Sequence, residues 1–191
     1  RHRADERPKK KHPNSNRPQK MTWSSDRECC DRLPNDKEIA VADAGFDVVE
    51  TAVLEVARYY WQTFAQPETQ SWFYALQRAE HSFGGGRGGE IGLEILAAVQ
   101  AMRMIRMSCF RFNNPPCPGC SAIMSEHERQ FMNVFRAMRD GRPGLARTHA
   151  MLLCEGNDTD PLIDRMGELV LTTYGKHTEP RSSSVAAQHL H

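Results

Sequence analysis

The sequence IAVADAGFDVVETAVLEVARYY, at residues 39–60, carries the pattern from which the fold class follows. Its apolar side chains recur at steps of three and four residues, the spacing that places side chains on one face of an α-helix. The members of this stripe are Ile39, Ala42, Phe46, Val49, Val53, Val56 and Tyr60. The pattern predicts an amphipathic helix over residues 37–65, with Asn35 or Asp36 as its N-cap and Gly45 tolerated inside it.

Five further segments show helical spacing, and residues that start or stop helices bound most of them. Proline suits the first helical turn, a Ser with a Glu three residues later forms a capping box, and glycine ends a helix. The segments run from Pro67 to Phe83, from 90 to 108, from the Ser125 cap to Gly141, from Pro143 to Gly156 and from Asp160 to Gly175. No stretch alternates apolar and polar residues as an amphipathic strand does. The sequence therefore predicts an all-α, single-domain bundle of about six helices.

The two ends of the chain differ from this helical region in composition. Residues 1–35 and 176–191 cannot bury enough apolar surface to offset the entropy lost on ordering, so we expect disordered tails around a helical domain at 36–175. Residues 1–20 carry eight basic and two acidic side chains, whereas the remainder carries 17 basic and 22 acidic ones. This mildly acidic body argues against a broad nucleic-acid-binding face, which needs clustered Lys and Arg.

The chain shows no segment that would place it in or across a membrane. No apolar run approaches the ~20 residues of a membrane-spanning helix, and the N-terminus lacks the apolar core of a secretory signal. We therefore expect a cytoplasmic protein that does not contact a membrane. We expect its partner to be another protein. Structural disulfides are rare in the cytoplasm, so the cysteines point to metal or redox chemistry.

The segment 110–120 contains three prolines and ends in a Cys-Pro-Gly-Cys turn. A Cys-x-x-Cys turn directs two thiolates to one side, which suits tetrahedral zinc with Zn–S distances of about 2.3 Å. Cys109 ends the third predicted helix, and Cys154 lies in the last turn of the fifth. The leading hypothesis is a non-enzymatic interaction or regulatory protein with a structural zinc ion. Its predicted ligands are Cys109, Cys117, Cys120 and Cys154.

The two outer ligands of that set have an alternative interpretation. Cys109 continues the apolar stripe of its helix, and Cys154 follows two leucines, so either could be a buried core cysteine. The spare ligand candidates are His127 and His149, and the adjacent Cys29 and Cys30 have no assigned role.

A second hypothesis makes the Cys-x-x-Cys turn a redox dithiol. Cys117 would act as the nucleophile and Cys120 as the resolving thiol of a thiol–disulfide oxidoreductase. A cysteine at a helix N-terminus favours the thiolate, which is the reactive form. The missing strands exclude a thioredoxin-like framework for this chemistry.

A third hypothesis is a DNA-binding regulator. Residues 126–155 form two predicted helices around a short turn, as in a helix-turn-helix unit. The basic side chains near that turn are Arg136, Arg139, Arg142 and Arg147. A corner of the bundle with exposed arginines explains the same pattern.

Overall fold

The computed structural model describes residues 32–175, which fold into seven α-helices and one pair of very short strands. The helices are α1 Val48–Ala65, α2 Ser71–Phe83, α3 Gly88–Ile105, α4 Pro118–Ser121, α5 Glu126–Arg139, α6 Pro143–Leu153 and α7 Asp160–Tyr174. The predicted all-α bundle is confirmed, with α4 as an additional single turn. Residues 1–31 and 176–191, which hold most of the two predicted tails and the adjacent Cys29 and Cys30, lie outside the described residues.

Helix α1 begins at Val48, eleven residues later than the apolar stripe predicts. Gly45 adopts a left-handed conformation with φ of 62°, which an α-helix interior does not accommodate. Asp47 then caps α1, because its side chain accepts the Glu50 N–H at 2.8 Å and the Glu50 carboxylate accepts the Asp47 N–H at 2.9 Å. The prediction of one helix from residue 37 was wrong; residues 41–44 form a 3-10 turn instead.

The two strands join the start of the described chain to the segment before α5. Strand β1, Ile39–Ala40, pairs antiparallel with β2, Ile123–Met124, and Ile39 lies opposite Met124. A two-residue strand is too short to show the alternation that identifies strands in sequence. This pairing fixes the C-terminal side of the Cys-Pro-Gly-Cys turn against the entry to α1.

The core is a single cluster of buried apolar side chains to which the six longer helices contribute. Helix α1 packs on α2, α3 packs on α2 and α7, and α5 packs on α6 and α7. Val53, Ile95, Phe131 and Leu162 are each fully buried in this cluster. Burial of such side chains stabilises the fold by about 1.5–3 kcal/mol each relative to exposure. Within residues 32–175, no helix combines the length and apolar character of a membrane span.

Candidate dithiol site

Cys117 and Cys120 lie in one helical turn. Cys117 is the N-cap of α4, Pro118 occupies its first position, and Cys120 is its third residue. The backbone N–H of Cys120 points at the Cys117 sulfur, with 3.5 Å between nitrogen and Sγ. Proline preorganises this turn because its φ already suits the first helical position. The structure therefore brings these two predicted residues together.

The amide contact has a chemical consequence for Cys117. An N–H donor stabilises a thiolate more than a neutral thiol, since it interacts with the developed negative charge. The thiolate is both the nucleophile of disulfide exchange and the ligand of a metal ion. Both side chains are partly buried, so reagents and substrates retain a route to the turn.

The turn rests on a buried ion pair that joins α1 to α5. Arg58 is 1% exposed, and its Nε donates to Glu128 Oε1 at 2.7 Å. Its Nη1 and Nη2 donate to the carbonyl oxygens of Ser121 and Ile123, each at 2.6 Å. Because three donors of one guanidinium are committed, Arg58 holds the residues after Cys120 in a defined position.

The Glu128 carboxylate also accepts hydrogen bonds from backbone groups near this ion pair. It accepts the Ser125 N–H at 2.7 Å and the Asn113 N–H at 3.1 Å. Ser125 also caps α5 in the predicted capping box. The ion pair and its neighbours therefore fix both ends of the irregular segment that carries the cysteines.

The predicted outer zinc ligands lie in different environments. Cys154 is fully buried in the core, and this burial raises the pKa of its thiol to about 11. The core interpretation of Cys154 is thereby confirmed. For Cys109 that interpretation was wrong, because α3 ends at Ile105 and the chain leaves the helical stripe with Cys109 exposed.

The described part of the chain holds no metal-binding cluster of three or more His, Cys, Asp or Glu side chains. Cys117 and Cys120 of the predicted set are close to each other but belong to no such cluster, so the four-cysteine zinc site stays a prediction. In that site Cys154 would have to become a thiolate and turn out of the core, which its burial opposes.

The two spare histidines make local contacts. His127 Nδ1 accepts the Arg111 N–H at 2.9 Å, and Arg106 approaches its other nitrogen at 3.3 Å. Burial, followed by the charges of Arg106 and Arg111, lowers the His127 pKa. His149 pairs with Gln130 at 2.7 Å, and burial lowers its pKa as well. These effects favour the neutral form of both rings.

Three of the four arginines near the α5–α6 turn pair with carboxylates of this chain. Arg136 contacts Glu50, Arg139 contacts both Asp47 and Glu50, and Arg147 contacts Asp160. A cation already paired within the protein neutralises a phosphate less effectively. DNA binding by residues 126–155 stays a prediction, and these pairs weaken its basis.

Sequence reasoning missed Arg58 and Glu128 as the support of the site. One signal was present: Arg58 interrupts the apolar run Val56-Ala57 and Tyr59-Tyr60-Trp61. A charged residue in such a position is buried only when it is paired. The partner could not be read from sequence because 70 residues separate it from Arg58.

No protein-family model matches this chain, and the curated proteins and solved structures compared with it contain no match either.

Proposed function

We propose that this chain is a thiol–disulfide oxidoreductase that uses Cys117 and Cys120 as its dithiol. The observation that carries the proposal is the Cys120 amide directed at the Cys117 sulfur across a 3.5 Å separation. The α4 turn thus stabilises a thiolate at Cys117 and keeps a second cysteine beside it.

The reaction transfers two electrons from the dithiol to a substrate disulfide. The Cys117 thiolate attacks one substrate sulfur, forms a mixed disulfide and releases the other substrate half, which takes up a proton. The Cys120 thiolate then attacks Cys117 Sγ and releases the second half as a thiol. The substrate disulfide is reduced to two thiols, and the protein dithiol is oxidised to a Cys117–Cys120 disulfide. A small thiol reductant then reduces the Cys117–Cys120 disulfide back to the dithiol and is itself oxidised to a disulfide.

The proposal predicts selective reactivity at Cys117. Reduced full-length protein is treated with iodoacetamide at pH 7, and labelling of each cysteine is followed by mass spectrometry. We expect Cys117 to be alkylated about tenfold faster than Cys109, because an amide that favours the thiolate by ~1.4 kcal/mol raises its fraction tenfold. Cys109 is the internal control: it lies outside the turn and is more exposed than Cys117, so accessibility alone cannot make Cys117 react faster.

A small neutral disulfide tests the second step. The wild-type chain should end with a Cys117–Cys120 disulfide, whereas Cys120→Ser should stop at a mixed disulfide on Cys117. Cys109→Ser should behave like the wild type. Equal alkylation of Cys117 and Cys109, or no mixed disulfide in Cys120→Ser, would overturn the proposal.

The second candidate is a non-enzymatic helical interaction protein whose turn holds a structural zinc ion. The close pair Cys117 and Cys120 supports it, as do Trp72, Phe73 and Tyr74, which are each about half exposed on α2. Exposed adjacent aromatics are typical of protein contact surfaces. The alkylation experiment separates the candidates, because zinc-bound thiols react more slowly until a chelator removes the metal, and removal then lowers the unfolding temperature.

A further inference from the structure

A hollow of about 270 Å³ opens beside the Cys-Pro-Gly-Cys turn, between α1 and α2. Its polar lining comes from Thr51, Glu55, Arg58, Tyr59, Arg78 and Ser121. Ser121 directly follows Cys120, whose amide nitrogen is 3.5 Å from the Cys117 sulfur. Pro115 and Ser121, which lie on either side of the turn, line the hollow, whereas neither cysteine does. The hollow therefore borders the turn that carries the candidate dithiol and is of a size to hold one small molecule.

One ion pair of the hollow is accessible from solvent. Arg78 donates from both Nε and Nη2 to a single oxygen of Glu55, with the Nε contact at 2.8 Å. The two side chains are 37% and 35% exposed. An ion pair at this exposure contributes little to stability, so a ligand of matching charge can displace either partner.

The other guanidinium of the hollow serves a different purpose. Arg58 is committed to Glu128 and to two carbonyl oxygens, and its charge is compensated within the core. It shapes the wall of the hollow and leaves Arg78 as the exchangeable cation. The hollow therefore presents one positive group, Arg78, beside one negative group, Glu55, and is not charged with a single sign.

Tyr59 adds a neutral hydrogen-bond donor. Burial raises the pKa of its phenol, and Arg78 only partly opposes this effect. The Tyr59 hydroxyl therefore keeps its proton at neutral pH and is available to a ligand oxygen.

We propose that this hollow binds the amino-acid end of a small disulfide that carries an α-ammonium and a carboxylate. The inference rests on the proposed thiol–disulfide function and names its substrate class. The ligand carboxylate pairs with Arg78 and the ligand ammonium pairs with Glu55. A planar guanidinium binds a carboxylate through two parallel hydrogen bonds, which fixes the orientation of the ligand. The disulfide of the ligand is then presented towards the neighbouring Cys117.

The test compares four disulfides in their reaction with reduced full-length protein. Cystine carries both charges, cystamine only the ammonium, dithiodipropionate only the carboxylate, and bis(2-hydroxyethyl) disulfide neither. The measured quantity is the second-order rate constant of mixed-disulfide formation at Cys117 in the Cys120→Ser variant, located by mass spectrometry. We expect cystine to react about tenfold faster than the neutral disulfide, relative to their rates with a free small thiol, since hydrogen bonds to charged groups contribute roughly this factor.

Two variants assign the preference to the ion pair. Arg78→Gln should reduce the cystine rate about tenfold and leave the neutral disulfide unchanged. Arg165→Gln, which removes an exposed arginine on α7, is the matched control and should change neither rate.

The outcomes distinguish this inference from the proposed function. If all four disulfides react at Cys117 without preference, or if Arg78→Gln slows the neutral disulfide equally, the amino-acid site is wrong and the dithiol function stands. If no disulfide reacts at Cys117, the dithiol function itself is wrong, and the substrate site fails with it.

Discussion

Arg58 and Glu128 place opposite charges in the interior, where each is almost fully removed from water. Desolvation makes an unpaired charge there costly by several kcal/mol, so each residue is tolerated only in the presence of the other. Their hydrogen bonds reach Ser121, Ile123, Ser125 and Asn113, and so the pair determines the conformation of the segment that carries the cysteines. At the level of single residues, Arg58 and Glu128 therefore position the candidate site, although neither is its proposed nucleophile.

Glu128→Gln should destabilise the protein by about 3 kcal/mol or more, because it leaves the Arg58 charge buried without a counter-ion. The free energy of unfolding is measured by urea titration. Glu168→Gln, an exposed change on α7, is the matched control and should stay within ~0.5 kcal/mol of the wild type.

A double-mutant cycle with Arg58→Met shows whether the two residues act as a pair. The losses of the single variants should be strongly non-additive, since either change already breaks the ion pair. A loss below ~1 kcal/mol for Glu128→Gln would show that water reaches Arg58 and that the pair does not support the turn.

At the scale of elements, the contact between α2 and α3 depends on the absence of a side chain at Gly92. A Cβ atom at this position would lie 3.2 Å from the Ala79 Cβ and 3.5 Å from Leu76 Cδ2. Such distances leave no room for a larger residue, because the two helices approach closely at this point. The small residues Ala79 and Gly92 thereby place α2, and with it Glu55's partner Arg78, against the rest of the bundle.

Gly92→Leu should lower the free energy of unfolding by about 2 kcal/mol, since overpacking forces α2 and α3 apart. Gly144→Ala is the control within α6, where nothing lies within 4 Å of an added Cβ. Alanine favours the helix there, so stability should be unchanged or rise by up to ~1 kcal/mol. Thermal and urea unfolding report both changes, and a neutral Gly92→Leu would contradict the close approach of α2 and α3.

At the scale of the whole molecule, Asp47 joins the start of α1 to the ends of α5 and α7. Its carboxylate accepts the Tyr174 hydroxyl at 2.8 Å and pairs with Arg139 at 2.9 Å. Burial raises the Asp47 pKa, but the Glu50 N–H, the Tyr174 hydroxyl and Arg139 outweigh it and bring the pKa below its usual range. The carboxylate therefore stabilises the fold in its charged form.

Because the pKa of Asp47 is lower in the folded than in the unfolded chain, its contribution is complete above about pH 4 and is lost as the pH falls through the folded value. Asp47→Asn removes this titration but retains a good helix cap. We expect the variant to be less stable than the wild type at pH 7 and the difference to shrink on acidification. Urea unfolding at intervals from pH 7 to pH 2.5 measures it, and a constant difference over this range would contradict the assignment.

The helices and the cysteine turn follow from local patterns in the chain. Helical periodicity, proline, glycine and capping residues act on near neighbours, so the stretches beginning near Pro67, Ser125, Pro143 and Asp160 were predicted from local pattern. The same local logic placed Cys117 and Cys120 together. It was wrong about the start of α1. The apolar stripe from Ile39 predicted a continuous helix, whereas the chain breaks at Gly45 and the helix begins after the Asp47 cap.

Tertiary packing selected the distant residues that meet. It paired Arg58 with Glu128, set Ile39 opposite Met124, buried Cys154 and left Cys109 exposed. It also placed Arg78 and Glu55 in one hollow with Pro115 and Ser121, which lie on either side of the cysteine turn. The paired residues are 23 to 85 positions apart in the sequence, so their contacts depend on how the helices pack. Many sequences share this helical periodicity and these capping residues. The periodicity does not specify which residues of two helices come into contact, because that is set when the helices bury their apolar faces against one another.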